Sequence, residues 1–313
     1  MHQDLGAFVI ISASRRTDIP AFYSEWFTNR IRAAYCLVPN PFNRTQVSRV
    51  SLEPSEVDAI VFWTRNPRPL MPHLAELDAK GYRYYFLYTL MANPRQIDPG
   101  SPPVEASLET FRELAARIGP ERVIWRYDPI FLSSITDPGF HVRTYRLIAE
   151  ALKGCTRRSV VSIVQRYRKI EKRMAALAGH GIELLPWDDE GLARLLRSLA
   201  EIAHGNGMEI RSCADDHDVQ RYGIPPGKCV DDEQISRVFG LELESRKDTC
   251  QRKQCGCVAS KDIGMYDSCL FGCIYCYATT SFERARVNYR AHDPESPFLL
   301  GYSDEDMIQR VEA

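Results

Sequence analysis

RYYFLYT, at residues 83–89, is followed by the longer stretch VEASLETFRELAARI at 104–118 and by RVIWRY at 122–127. The two short runs are rich in aromatic and β-branched residues, as buried strands are. The longer stretch repeats apolar residues at the spacing of one helix face, namely Leu108, Phe111, Leu114, Ala115 and Ile118. Gly119 and Pro120 mark the end of that helix. The three segments predict a strand–helix–strand unit whose two strands run parallel.

The same alternation extends along the chain. Strands are predicted at 7–13, 57–63, 83–89, 122–127, 159–165 and 208–212, with a seventh at 262–267 (DIGMYD). Helices are predicted at 21–34, 68–80, 104–118, 138–153, 167–178 and 189–205. Continuous apolar strands separated by helices are typical of a parallel sheet covered by helices. We therefore expect an α/β fold, a (β/α) barrel of TIM-like type, full or partial, with a doubly wound open sheet as the alternative.

The predicted barrel is assembled from three segments of the chain. Residues 1–212 would form six βα units, and residues 213–260 a cysteine-rich auxiliary metal segment that caps the barrel. Residues 261–313 would add a strand, a cysteine-bearing loop and a helix to the same barrel. An additional hairpin is predicted at 36–52, because VPNPFN is rich in turn-forming residues.

Composition restricts the classes of function. The 313 residues include 40 Lys and Arg against 41 Asp and Glu, a formal net charge of −1. This balance is not that of a polycation built for nucleic acid, so we expect a small-molecule substrate. No apolar run reaches the roughly 18 residues of a transmembrane helix, and the N-terminal sequence lacks the basic start of a secretion signal. A cytoplasmic protein without membrane contact is expected.

Eight of the ten cysteines fall within 64 residues, at Cys213, Cys229, Cys250, Cys255, Cys257, Cys269, Cys273 and Cys276. In a reducing compartment disulfides are rare, so this crowding needs another reason. Cysteines that merely fill a hydrophobic core would be scattered along the chain. Their concentration therefore predicts metal binding.

Three of these cysteines form the motif Cys269-x3-Cys273-x2-Cys276. Thiolates suit iron–sulfur clusters, and three of them would hold three irons of a [4Fe–4S] cubane and leave the fourth iron open. Gly272 allows the backbone to fold closely round the cluster. The alternative is structural zinc, which uses four ligands and usually draws them from paired C-x2-C hooks. The motif favours the cluster.

The sequence GCIYCY at 272–277 resembles the cluster loop of the radical S-adenosylmethionine enzymes, particularly the branch similar to spore photoproduct lyase. The resemblance implies that S-adenosylmethionine binds the open iron and is cleaved reductively to a 5′-deoxyadenosyl radical, which acts on a substrate that is not identified. It also implies that Tyr275 lies near the adenine, and that a donor such as flavodoxin or ferredoxin supplies the electron. The Gly-Gly-Glu motif that contacts the methionyl amino group in that superfamily has no clear counterpart in this sequence.

Over nearly its full length the chain resembles a bacterial family catalogued as domain of unknown function 1848. The matching segments are ISASRRTDIPAFY at 11–23, VFWTRNP at 61–67, VIWRYDPI at 123–130, QRKQCGC at 251–257 and DIGMYDSCLFGCIYCYA at 262–278. The radical superfamily carries its cluster loop after the first barrel strand, whereas here the loop comes last. A circular permutation would explain this order, with 262–267 as the first strand and 7–13 as the second.

Polar residues follow each of the first six predicted strands, where a barrel places its chemistry. Arginine occurs at four of these strand ends, which favours an anionic or phosphate-bearing ligand. The residues expected to contact substrate or to act catalytically are Arg15, Arg16, Asp18, Arg65, Arg126 and Asp128. The residues expected to bind the cofactor are Ser14 and Asn66, together with Gly272 and Tyr275 of the cluster loop. His217 also follows a predicted strand and is expected near the same end of the barrel.

The five cysteines before the cluster loop predict a second metal site. Four thiolates are compatible with an auxiliary [4Fe–4S] cluster and with zinc, and both remain open. The favoured ligands stand beside turns or strand ends, at Cys213, Cys229, Cys255 and Cys257. Cys250 lies in the charged run ESRKDTCQRK and is expected to be a spare exposed thiol.

Two other functions compete with the radical enzyme. The first is a non-catalytic protein in which both groups of cysteines bind zinc or iron–sulfur as a scaffold. The second is a radical enzyme that modifies nucleic acid, which the near-neutral charge disfavours without excluding.

Overall fold

The computed structural model describes residues 9–43, 45–165, 167–214, 218–243 and 246–301. Its strands are β1 (Val9–Ala13), β2 (Tyr35–Pro39), β3 (Val47–Ser51), β4 (Val57–Thr64), β5 (Tyr84–Thr89), β6 (Val123–Ile130), β7 (Arg158–Ile163), β8 (Glu209–Ser212) and β9 (Lys261–Asp262). Its α-helices are α1 (Ile19–Phe22), α2 (Ser24–Ala33), α3 (Leu74–Ala79), α4 (Val104–Ile118), α5 (Pro138–Ala151), α6 (Arg168–Ala175), α7 (Asp189–Gly205), α8 (Asp232–Phe239) and α9 (Phe282–Arg290). Single 3-10 turns occur at Met71–His73, Pro120–Arg122, Ala176–His180 and Val219–Tyr222.

Seven strands form one parallel sheet in the order β8-β7-β6-β5-β4-β1-β9. The strands β2 and β3 pair antiparallel in a separate hairpin, within the predicted range 36–52 apart from Tyr35. The predicted α/β class with a parallel sheet is therefore confirmed. Within the described residues β8 and β9 remain edge strands, so the sheet is not closed into a barrel by hydrogen bonds.

The central strands are buried on both faces, which is why they read as unbroken apolar runs. Every residue of Tyr84–Tyr88 is buried in β5, and Trp125 and Tyr127 are fully buried in β6. Some helices begin at side-chain caps, among them α5 and α7. Asp137 accepts from the Phe140 N–H at 2.6 Å, and Asp188 accepts from the Gly191 N–H at 2.6 Å. Such caps fix where each connection enters its helix.

The strand predicted at 262–267 is much shorter in the structure, where β9 ends at Asp262. The reason lies in competition for backbone N–H groups. The Gly264 N–H donates to the Asp262 carboxylate at 3.0 Å, and the Met265 N–H donates to Thr17 Oγ1 at 2.9 Å. Because side chains take these donors, the chain turns instead of continuing the ladder.

Other boundaries differ by a few residues. The helix predicted at 21–34 is divided into α1 and α2, because Tyr23 leaves the helical conformation at φ −135° and ψ 28°. The helix α8, inside the cysteine-rich segment, was not predicted. Ala7 and Phe8 of the predicted strand 7–13 lie outside the described residues, as does the end of the segment 261–313.

The chain divides into two compact units. The first contains the residues up to Tyr85, Ser260–Leu270 and the residues from Ala278 onward. The second contains Phe86–Ala259 and Phe271–Tyr277. The predicted division after residues 212 and 260 separates the chain by the function expected of each segment, and it stays a prediction. No helix in the part of the chain described by the structure is long and apolar enough to cross a membrane.

Candidate functional site

Asp262 organises the C-terminal end of β1. Its side chain is largely buried and accepts five hydrogen bonds of 2.7–3.1 Å, from Ser12 Oγ, Ser14 Oγ, the Arg15 N–H, Arg16 Nε and the Gly264 N–H. Burial raises the pKa of Asp262, but the Arg16 guanidinium and the other donors outweigh it and lower the pKa below its ordinary value. Asp262 is therefore an ionised anchor that fixes the strand end.

Two predicted ligand-contacting residues belong to this anchor. The Arg16 guanidinium forms an ion pair with Asp262 and also donates to the Asp262 carbonyl at 3.0 Å. The Ser14 hydroxyl donates to Asp262 and accepts from the Arg16 N–H at 2.9 Å. Both side chains are thus engaged within the protein, which assigns them to positioning the strand end.

Asp18 connects β1 to β4. One carboxylate oxygen caps α1 by accepting from the Ala21 N–H at 3.1 Å, and the other accepts from the Arg65 N–H at 2.6 Å. Burial raises the pKa of Asp18 to about 7, against the opposing hydrogen bonds from Arg65, Thr64 and Ala21. Asp18 is therefore a buried group that can hold or release a proton near neutral pH.

The remaining predicted residues of the first unit have local partners. The Arg15 guanidinium lies 5.1 Å from the centre of the Trp63 ring and donates to Ser260 Oγ at 3.2 Å. Asn66 caps its own turn, since its Oδ1 accepts from the Arg68 N–H at 3.2 Å. A role for Asn66 in cofactor binding would require its side chain to leave this turn.

In the second unit, Arg126 and Asp128 form an ion pair near the end of β6. The Asp128 carboxylate also accepts a hydrogen bond from Ser162 on β7. The Nε of Arg126 is buried and has no hydrogen-bond partner within the described residues. Because the pair is internally neutralised, it can offer one donor to a ligand but little net positive charge.

An apolar cavity lies beside the ends of β6 and β7. Its lining includes Phe131 and Leu132 after β6, and Ile163 and Val164 at the end of β7. The predicted anionic ligand gains no support from this lining, which suits an apolar group instead. Four more polar residues follow the predicted strands 159–165 and 208–212, and they lie outside the described residues: Arg166, Asp215, Asp216 and His217.

We call residues 269–277 the cluster loop. Hydrogen bonds of the two residues before it, Asp267 and Ser268, hold the chain where the loop begins. Asp267 accepts from the N–H groups of Thr280 and Ser281, which closes a turn before α9. The Ser268 carbonyl accepts from Tyr23 Oη at 2.8 Å, and its hydroxyl lies 2.6 Å from Thr17 Oγ1. Cys269 follows directly and is half-buried. Residues that follow β1 in the chain therefore fix the backbone position of Cys269.

The second part of the cluster loop, Phe271–Tyr277, belongs to the second unit. The Gly100 N–H donates to the Phe271 carbonyl at 2.9 Å, and the Ile274 N–H donates to the Ile97 carbonyl at 3.1 Å. Gly272 has φ +71°, a backbone conformation that residues with a side chain rarely adopt. These contacts define a clamp, residues 97–100, that fixes the loop backbone.

Side chains complete the clamp. Tyr275 Oη donates to Asp98 Oδ2 at 2.7 Å, and Asn93 Nδ2 donates to the same oxygen at 2.9 Å. Arg173, on α6, donates to the Cys276 carbonyl. Asn93 is one of the polar residues that follow a predicted strand, but no local pattern links Asp98, Asn93 or Arg173 to the loop, because they are far from it in sequence; Arg173 lies 103 positions before its partner Cys276. Tyr275 was predicted to lie near adenine, and the structure assigns its hydroxyl to Asp98.

The auxiliary cysteines come into contact at the end of β8. Cys213 Sγ lies 3.3 Å from Cys229 Sγ, and the Cys229 N–H donates to Cys257 Sγ at 3.2 Å. The hydrogen bond from Cys229 lowers the pKa of Cys213 to about 7 and raises that of Cys229. Cys250 is exposed. The favoured four and the spare thiol are thus distinguished by their surroundings.

Among the residues that the structure describes, no three His, Cys, Asp or Glu side chains converge on a point suited to a metal ion. For the cluster loop this is compatible with the predicted group, because a cubane distributes its cysteine ligands over separate irons. The three thiols on one short loop, with Gly272 allowing its close turn, fit that group in their donor chemistry. The predicted iron–sulfur ligands remain a prediction.

Residues 10–278 match the family described as domain of unknown function (DUF1848), and the chain belongs to that family. The match contains all of β1 except Val9, the auxiliary cysteines and the whole cluster loop. No curated protein shows significant similarity to the chain. The family assignment predicted from the sequence is confirmed, while its chemistry is open to proposal.

Proposed function

We propose that this protein is a radical S-adenosylmethionine enzyme. The observation that carries the proposal is the motif Cys269-x3-Cys273-x2-Cys276 on a loop that follows β9 and is anchored by hydrogen bonds at both ends. A loop with three thiols and a fixed backbone suits a [4Fe–4S] cluster with one open iron. Its place after the C-terminal end of a parallel strand is where α/β folds hold their ligands.

The order of the strands supports a permuted partial barrel. When β9 is counted first, the order along the sheet becomes β9, β1, β4, β5, β6, β7 and β8, so each strand follows its sheet neighbour. The cluster loop would then come after the first strand, as in the superfamily that the sequence resembles. We propose this arrangement as a circular permutation of that fold.

Within this proposal the chain's own residues bind and orient. When bound, the cluster and S-adenosylmethionine would supply reductive cleavage to a 5′-deoxyadenosyl radical, with the electron coming from a donor such as flavodoxin or ferredoxin. Cys269, Cys273 and Cys276 would be the ligands. Asp98 holds Tyr275 through its hydroxyl, so it would fix the aromatic ring that follows the second thiol.

The substrate site would lie in the second unit, near the end of β6, where Arg126 offers its buried Nε as a donor. The apolar cavity beside β6 and β7 would exclude water from a radical reaction. These features favour a small, partly apolar substrate that carries a polar group.

Anaerobic reconstitution with iron and sulfide tests the proposal. The protein should become brown, with absorbance at about 400 nm, as iron–sulfur proteins do. Addition of dithionite and S-adenosylmethionine should then yield 5′-deoxyadenosine. Cys273→Ala should abolish this product because it removes one cluster ligand, whereas Cys250→Ala should retain it as the matched cysteine control.

Two results would contradict the proposal. One is 5′-deoxyadenosine formation by the Cys273→Ala variant at the native rate. The other is a colourless native protein whose loop thiols bind zinc after anaerobic reconstitution with iron. The latter result would favour the competing function, a non-catalytic metal-binding protein, for which the contacts among the auxiliary cysteines are the supporting observation.

A further inference from the structure

Three separate segments bring four thiols together beyond the end of β8. We call this set the four-thiol cluster, and its members are Cys213, Cys229, Cys255 and Cys257. The last three are buried, and Cys213 is half-buried. All four belong to the second unit. Three buried thiols and one half-buried thiol so close together are unusual for core packing, where cysteines serve singly as small apolar residues.

The backbone of the three segments is held independently of the sulfurs. The Cys213 N–H donates to the Val161 carbonyl on β7 at 2.9 Å, and the Gly227 N–H donates to the Ser212 carbonyl at 2.8 Å. The Val258 N–H donates to the Val230 carbonyl at 3.1 Å, which joins the second segment to the third. The fold itself therefore presents the four thiols to one another.

Glycines make this approach close. A Cβ on Gly227 would lie 2.7 Å from Arg211 Cβ, and a Cβ on Gly256 would lie 3.3 Å from Lys228 Cγ. Gly256 separates Cys255 from Cys257, so a side chain at this position would crowd the segment that leads to Cys229.

Within the described residues the four sulfurs lie near one another but do not surround a common point. Cys213 Sγ lies 3.3 Å from Cys229 Sγ. Side-chain hydrogen bonds join Cys229 to Cys257, and Cys257 to Cys255. Cys257 Sγ also accepts the N–H groups of Cys229 at 3.2 Å and of Val230 at 3.4 Å. Backbone N–H groups directed at a sulfur stabilise a thiolate, which is the form that binds metal.

The spacing distinguishes two kinds of metal centre. A zinc ion with Zn–S bonds of about 2.3 Å in tetrahedral geometry separates its sulfurs by about 3.8 Å. A [4Fe–4S] cubane attaches each cysteine to a different iron, so the body of the cluster separates the sulfurs further. The observed separation of 3.3 Å is close to the first value. Rotation about Cα–Cβ bonds would bring the sulfurs round one ion while the hydrogen-bonded backbone stays in place.

The surrounding charge is suitable for four thiolates. Together with a zinc ion, four thiolates would carry two net negative charges. The guanidinium groups of Arg126 and Arg252 both act electrostatically on Cys213. Arg252 would offset part of that net charge and reduce the cost of holding it in a partly buried place, whereas the charge of Arg126 is already offset by Asp128.

We propose that the four-thiol cluster binds one zinc ion in tetrahedral coordination, and that it is not an auxiliary [4Fe–4S] site. The ion fastens the end of β8 to the two segments that carry the other three thiols. This inference does not rest on the radical reaction, because it concerns a separate set of ligands. A Cys213–Cys229 disulfide is the competing use of the same contact.

Metal analysis of the Cys273→Ala variant tests the inference, since that variant lacks an intact cluster loop. Purified without added metal, it should contain one zinc ion per chain, as the native protein should. Cys257→Ser should lose this zinc, because it removes a ligand that two N–H groups support. Cys250→Ser should retain it and serves as the matched control.

A second measurement uses the native protein, so its result does not depend on the folding of a variant. Titration of the native protein with a mercurial thiol reagent, monitored with a zinc-sensitive dye, should release one zinc ion per chain. Four irons with four sulfides in the Cys273→Ala protein would overturn the inference. Full zinc retention by Cys257→Ser would do the same, and so would an anaerobically prepared protein with a Cys213–Cys229 disulfide and no metal. None of these results depends on whether 5′-deoxyadenosine is formed.

Discussion

Asp18 and Asp262 are buried carboxylates near the same end of β1, and their surroundings shift their pKa values in opposite directions. Burial raises the pKa of Asp18 to about 7, because the hydrogen bonds from Arg65, Thr64 and Ala21 and the charge of Arg65 offset only part of the effect of burial. At Asp262 the effect of burial is exceeded by the Arg16 guanidinium and by several donors, so the pKa falls. A close positive charge, more than burial, decides which carboxylate stays ionised.

Replacement of Asp18 should change how stability depends on pH. A carboxyl in an unfolded chain loses its proton near pH 4, whereas Asp18 in the folded chain retains it up to about pH 7. The folded state therefore binds more protons between these values, and the stabilising contribution is lost as pH rises through 7. Relative to the native chain, the Asp18→Asn variant should become less stable as pH is lowered from about 8 to about 5. Urea unfolding at several pH values measures this trend.

Asp262→Asn is the matched control for this experiment. Its folded pKa lies below the ordinary value, so its contribution is present throughout this pH range and is lost only in more acid solution. We expect the variant to be less stable by about 3 kcal/mol, because removal of one partner leaves a largely buried charge unpaired. The loss should be constant between about pH 5 and pH 8. An equal pH trend in both variants would refute the assignment of the raised pKa to Asp18.

The sequence predicts the position of Ser14, Arg16 and Asp18 but not their partners. All three follow a predicted strand, and all three lie just after the C-terminal end of β1 in the structure. The partner of Arg16 lies 246 positions away in sequence, so local pattern could not show that the arginine is already paired. Ion pairs between residues far apart in sequence form only when the chain folds. The sequence therefore predicts Arg16 as a ligand-binding residue, although its guanidinium is paired with Asp262.

At the scale of elements, the cluster loop depends on the clamp at residues 97–100. A Cβ on Gly100 would meet the Phe271 carbonyl oxygen at 2.5 Å, and the neighbouring atoms are backbone. A contact this short forces the two segments apart, because backbone atoms cannot rotate away. The glycine therefore determines how closely the loop can dock.

Gly100→Ala should weaken docking of the loop. We expect a loss of about 1–3 kcal/mol in stability, the usual cost of overpacking, together with faster loss of iron after reconstitution. Unfolding curves and iron retention during dialysis measure the two effects. Gly205→Ala is the control, because no atom lies within 4 Å of the added methyl group. Equal iron retention in both variants would show that the clamp does not support the loop.

Elements with a strong internal pattern were predicted well. The helix at 104–118 and the helix at 189–205 have the predicted bounds, because a wide apolar face and clear ends mark each of them. The strand at 262–267 was predicted too long, since its donors are taken by Thr17 and by its own Asp262. The strand prediction was wrong because side chains compete for its backbone N–H groups in the folded chain. The periodicity of the sequence does not reveal such competition.

At the scale of the whole chain, the C-terminal part completes the sheet that the N-terminal part begins. The Ile263 N–H donates to the Ser12 carbonyl at 3.0 Å, and β9 pairs with β1. Asp262 adds its five hydrogen bonds to the same strand end. We therefore expect these contacts, more than the chain between β8 and β9, to hold β9 in the sheet. A fold tolerates a permuted order of its strands when contacts of this kind hold each strand in place.

A chain cut between β8 and β9 should therefore stay assembled. Gly240 is exposed and ends α8 in a left-handed conformation, φ +68°, so a protease site inserted after it should be accessible. The cut separates Asp262 from its partners on β1, and Cys257 from Cys229, without removing any of them. We expect the two fragments to remain together after cleavage in native buffer, and to separate only in denaturant. Native mass spectrometry and gel filtration measure the association.

The same cut made in the Asp262→Asn variant tests which contacts hold the fragments. If pairing of β9 with β1 depends on the buried carboxylate, the cut variant should dissociate at a lower urea concentration than the cut native chain. A chelator that removes zinc should lower that concentration further, because Cys257 then loses its metal-mediated connection to Cys229. Fragments that separate in native buffer would show instead that the intact connection holds β9 against β1. In that case the sheet order would offer no support for a permuted origin, since the last strand would keep its place only through its tether.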